Sequence, residues 1–81
     1  MNFKKGNKVK SISFLGTLKP NEEINSRENY WVLINQEATI IDVFTNKVLV
    51  LFENELDKYG LENHNPINNS LLISKNDLIN I

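Results

Sequence analysis

The chain has no cysteine and only one histidine in its 81 residues. No disulfide can staple it, and a structural zinc site built from four Cys or His ligands is excluded. The absence of thiols suits a reducing compartment, so a cytoplasmic protein is expected. No uninterrupted apolar run is longer than Val48–Phe52, far short of the ~20 residues a spanning helix needs, so no membrane partner is expected. Met1–Gly6 carries lysines with no apolar core behind them and does not read as a signal peptide. The three glycines, Gly6, Gly16 and Gly60, are scattered. They build neither a phosphate loop nor a dinucleotide fingerprint, and no nucleophile elbow occurs. Without a paired acid–base motif, neither an enzyme nor a cofactor is expected.

Charge of one sign is lacking too. The net charge is −1, whereas nucleic-acid binders usually carry a basic excess that neutralises phosphates. The polar bias goes to asparagine, with fourteen residues. Asparagine favours turns and caps over long helices, and an AT-rich genome enriches Asn, Ile and Lys codons together.

What is present centres on Ala38–Phe52. It reads as a β-hairpin with arms Ala38–Phe44 and Lys47–Phe52. Thr45-Asn46-Lys47 is the turn, with Asn46 expected at positive φ. Before it, residues 8–15 read as a strand between two Gly turn signals, with a bulge between Val9 and Ile12 placing both on one face. Thr17–Asn29 reads as a long loop with one helical turn starting at Pro20. Tyr30–Ile34 is a short strand of β-favouring residues. After the hairpin, Glu53–Ser70 is a second long polar loop. Leu56 and Tyr59 share a helical turn that Gly60 ends. Leu71–Ile73 is a strand, Ser74-Lys75-Asn76-Asp77 a capping-box turn, and Leu78–Ile81 the last strand. The expected fold is all-β: a small five-stranded barrel with two long loops and a single helical turn before the last strand.

This order of features resembles the SH3-like small barrels of Tudor and KOW modules. The matching pieces are Lys5–Val9, Ala38–Val43, Val48–Phe52 and Ile73–Leu78. Ala38 stands where KOW-type modules usually carry glycine. The resemblance implies a binding module, nucleic acid being one ligand of that class, with Lys4, Lys5, Lys8 and Lys10 as the phosphate contacts. The fold hosts many unrelated functions.

Candidate contacts follow from the residues. Tyr30 and Trp31 are neighbours, so in a strand one faces the core and the other solvent, where an aromatic beside a long loop suits recognition. Both hairpin faces are apolar: Val48, Val50 and Phe52 share one, Leu49 and Leu51 the other. A small barrel needs only one. The second is expected to be covered by Leu56, Tyr59 and Leu61 of the following loop, or to form a dimer or partner interface. His64 reads either as a loop imidazole bonding local backbone or as a contact residue in a binding loop. Glu53, Glu55, Asp57 and Glu62 lack EF-hand spacing and read as a solvated acidic loop that attracts a basic partner. The functional expectation is a non-enzymatic protein-binding module of bacterial type, an adaptor or an immunity-type inhibitor. Its contacts would be Tyr30, Trp31, Leu49, Leu51, Tyr59 and His64, with a homodimer as a variant.

Overall fold

Alternating apolar and polar residues form strands where a second strand is available to share the backbone hydrogen bonds. The computed structural model describes residues 2–81, so Met1 of the N-terminal segment lies outside it. Five strands form, β1 (Lys8–Ser11), β2 (Glu37–Val43), β3 (Lys47–Phe52), β4 (Ser70–Ser74) and β5 (Leu78–Asn80). All pairs are antiparallel, in one sheet of order β4-β3-β2-β1-β5. The described residues also form four short 3-10 turns: η1 (Ser26–Glu28), η2 (Tyr30–Leu33), η3 (Leu56–Tyr59) and η4 (Lys75–Asp77). The all-β class is as expected.

The sheet curls without closing. Laid flat, its edge strands β4 and β5 would sit about 19 Å apart. Yet only η4 joins Ser74 to Leu78, a rise of roughly 8 Å at 3-10 geometry. No ladder joins β4 to β5, so the closed barrel of the sequence reading becomes a curled open sheet.

The concave face holds the core. Ala38, Ile40, Val48, Val50, Phe52, Leu71 and Ile73 are buried there with Val9 and Leu78. Ile40 lies opposite Val50 and Val43 opposite Val48, with a bulge at Ile41 between them. Strict alternation would pair Ile41 with Val43. The extra residue shifts the phase, so Ile40 and Val43, three apart, both face inward. The bulge expected in the first strand therefore sits in β2, and β1 ends early at Ser11.

Six segments have strand character against five places, and Tyr30–Ile34 is the surplus one. It has no partner strand and closes on itself as η2, with Ile34 N–H donating to Trp31 O (3.2 Å) and Gln36 N–H to Leu33 O (2.9 Å). Tyr30 and Leu33 are the buried members, a spacing of three that suits a 3-10 turn. Two further expectations fail locally. The turn after Pro20 forms instead at Ser26–Glu28, where the Asn25 side chain accepts from Arg27 N–H (2.9 Å). Positive φ occurs at Asn35 and Asn69 rather than Asn46, and Asn46 O accepts from Lys75 N–H (3.0 Å). The turn after Glu53 is as expected, with Gly60 left-handed at φ 70°.

Leu56 and Leu61 do not cover the convex face. Both are buried in the core, because burial there removes more apolar surface from water than a convex face offers. Leu51 and Leu72 remain exposed on that outer face.

Candidate functional site

After β1 the chain makes a tight reversal. Phe14 and Thr17 exchange both backbone hydrogen bonds (2.9 and 3.0 Å). Leu15 and Gly16 between them both take positive φ, 52° and 77°, the requirement of a type I′ turn. Glycine does this freely, while leucine costs about 1–2 kcal/mol. The buried carboxylate of Asp77 holds the turn in place. It accepts from Ser13 Oγ (2.5 Å), Leu15 N–H (3.0 Å) and Gly16 N–H (3.0 Å). The capping box is therefore half as read. Ser74 Oγ accepts from Asn76 N–H (3.3 Å), but Asp77 serves a loop more than sixty residues away.

Phe14 collects the aromatics. Its ring lies 5.4 Å from Tyr30 and 4.9 Å, edge-on, from Trp31. Tyr30 is buried and its hydroxyl donates to Glu62 O (2.7 Å). Trp31 is half-buried, its indole N–H donating to Thr17 Oγ1 (3.0 Å). One residue is thus in and one partly out, as expected, although η2 and not a strand sets the angle. The exposed His64 ring stands 6.4 Å from Tyr30. Phe14, Tyr30, His64, Asn65, Leu71 and Leu72 enclose a groove of about 300 Å³. On the far side of Trp31 a hollow of about 280 Å³ includes Leu15, Pro20 and Ile24.

Charge lines one rim of the groove. His64 Nε2 is 3.3 Å from the Glu28 carboxylate and 3.8 Å from Glu62, and Arg27 is 3.1 Å from Glu62. The Tyr30 hydroxyl, and then His64, hold the Glu28 carboxyl below its usual range. Burial, and then the neighbouring Glu28, push the Tyr30 phenol well above its usual value. His64 therefore bonds a distant carboxylate rather than local backbone. Ligand atoms of Glu28, Glu62 and His64 lie within 4.8 Å of one another, close enough to share a cation. The Arg27 guanidinium already supplies positive charge at Glu62. The acidic loop disperses: Glu53 pairs with Lys8, while Glu55 and Asp57 line a separate hollow of about 220 Å³.

Of the expected contact residues, Tyr30 and His64 line the groove with Phe14, while Trp31 packs edge-on against Phe14 and lines the neighbouring hollow. Leu49 is opposite Leu72 in the β3–β4 register, with Leu51 two positions on, so the convex apolar face meets the groove at Leu72. Tyr59 lies on η3, partly buried against the core, outside the groove lining. Phe14 and Leu72 were missed by the sequence reading. Both sit in strand-like stretches where pattern alone does not give the facing.

Comparison with family models, characterised proteins and solved structures finds no match.

Proposed function

We propose that this chain is a non-enzymatic protein-binding module of the cytoplasm whose partner docks in the groove beside β4. The observation that carries the reading is the clustering of Phe14, Tyr30, Trp31 and His64 next to an exposed Leu72. Aromatic side chains with polar tips offer large contact area at low entropic cost, and they dominate protein interfaces. Leu49 and Leu51 extend the apolar contact over the convex face. An adaptor or an immunity-type inhibitor would use such a surface.

The alternative is nucleic-acid binding through Lys4, Lys5, Lys8 and Lys10. Lys5 lies 3.7 Å from Asp42, and Lys8 pairs with Glu53. Two of the four cations thus have carboxylate partners, which favours the protein reading.

The test starts from a protein retained on the immobilised chain, then identified and purified. Its affinity is measured for the native chain and for folded Trp31→Ala and His64→Ala variants. The expected result is a loss of tenfold or more for each. Unchanged affinity in both removes this surface. Low-salt filter binding to DNA and RNA tests the alternative, which requires binding that weakens as salt is added.

A further inference from the structure

β4 is an edge strand, and the direction of its free backbone groups follows from the ladder. Phe52 N–H donates to Asn69 O, and Lys75 N–H to Asn46 O, both at 3.0 Å. These bonds continue the register in which Val50 faces Leu71 and Val48 faces Ile73. In an antiparallel ladder, hydrogen-bonded and non-bonded pairs alternate. Leu71 and Ile73 therefore bond to β3, whereas Ser70, Leu72 and Ser74 direct their N–H and C=O groups to the open edge. Ser70 O is covered by the Asn65 side-chain amide (3.0 Å). Among the described residues, none hydrogen-bonds the Leu72 N–H or C=O.

This bare segment carries neither charge nor proline, the usual devices that keep an edge from pairing. It also borders the aromatic groove: Leu71 and Leu72 form one wall, Phe14 and Tyr30 another. An unpaired donor and acceptor, set beside apolar walls, match strand addition, in which the main chain gives affinity and alternate side chains give specificity.

We propose that the groove takes an extended peptide segment of a partner protein, which adds to the sheet along β4. It pairs with the Leu72 backbone, seats an apolar side chain between Phe14 and Leu71, and brings a basic residue to Glu28 and Glu62. The charge follows from the rim, where two carboxylates stand against one guanidinium and the His64 ring. A second copy of the chain fits less well. Its own β4, Ser70–Ser74, carries no basic residue to meet the acidic rim. This inference rests on the groove being the docking surface.

The probe is a peptide selected against the full chain from a phage-displayed random dodecapeptide library, then synthesised. The selected sequences should alternate apolar residues and include a Lys or Arg. Binding should slow hydrogen exchange at the Leu72 amide at least tenfold. N-methylation of the peptide should weaken binding at least tenfold at alternate positions only. Leu72→Pro removes an N–H that β3 does not use, so the fold should survive while affinity falls at least tenfold. Binding that is insensitive to peptide N-methylation and leaves Leu72 exchange unchanged overturns strand addition. If His64→Ala still weakens that peptide, the groove reading stands alone; if it does not, both fail. Concentration-dependent dimerisation that protects the Leu72 amide without peptide overturns the choice of occupant.

Discussion

Replacing Asp77 by asparagine tests the joint between η4 and the Phe14–Thr17 turn. One carboxylate oxygen accepts from Ser13 Oγ and Gly16 N–H, the other from Leu15 N–H. Asp77→Asn keeps one acceptor and puts an NH₂ donor against the other partners. A lost bond to a buried charged acceptor costs about 1.5–3 kcal/mol, and the surviving bonds lose their charge assistance. The expected destabilisation is about 2–3 kcal/mol, out of a total of roughly 4–12 for a domain of this size. Urea unfolding followed by Trp31, the only tryptophan, reads this directly, since its indole is bonded to Thr17 in the same turn. With a slope of ~1 kcal/mol/M, the midpoint should fall by about 2–3 M at unchanged slope. Ser13→Ala removes one of the three bonds and should cost about 1.5 kcal/mol, the low end of the range for a charged acceptor. Amides of Leu15 and Gly16 should lose exchange protection in Asp77→Asn before the sheet does. A midpoint within about 0.3 M of the native chain would refute the assignment of Asp77 as the anchor of this turn.

Other substitutions probe the rest of the architecture. Leu15→Asn places a residue that tolerates left-handed φ in the I′ turn and should stabilise the chain by about 0.5–1 kcal/mol in the same denaturation assay. Leu56→Ala should cost about 2–5 kcal/mol, whereas Leu51→Ala should cost less than about 1; the reverse order would place the second loop over the convex face. Tyr30 gives an alkaline signature. Its phenol has a raised folded pKa, so the neutral form's contribution is fully present below pH 10.0 and is lost above it, as the unfolded chain ionises first. The loss should approach at most about 1.4 kcal/mol per pH unit, and Tyr30→Phe should flatten that limb of the stability–pH curve.

The parts legible in the sequence were those written locally. Lys47–Phe52 is an apolar run bounded by turn residues, so its strand was plain, but with Val48, Val50 and Phe52 on one face and Leu49 and Leu51 on the other, which face is core was not. Leu56, Tyr59 and Gly60 signalled a turn and its end within five residues. Tyr30–Ile34 misled because β propensity reports fitness for a sheet surface, and no strand was free to pair with it. The Ile41 bulge was hidden because Ile40, Ile41 and Val43 are all apolar, so the phase shift leaves no polar residue out of place. The docking groove was half legible. Tyr30, Trp31 and His64 stood out by residue type. Phe14 and Leu72 complete the groove only through the Asp77-held turn and the free edge of β4, both set by contacts distant in sequence.

The pairing of β1 with β5 sets Val9 opposite Asn80, nearly the full chain apart. In kinetic terms, β2 and β3 are joined by a tight turn and can zip early, and β1 can add to β2, while the β1–β5 ladder must wait for almost the whole chain to be in place. Closing so long a loop carries an entropic cost before any ladder bond repays it, which places the first and last strands together at the end of assembly. We expect millisecond-to-second folding, slow for so short a domain. Throughout that interval Val9 and Leu78, both fully inside the finished core, remain in water, so the stage most exposed to aggregation is the one just before the last strand docks.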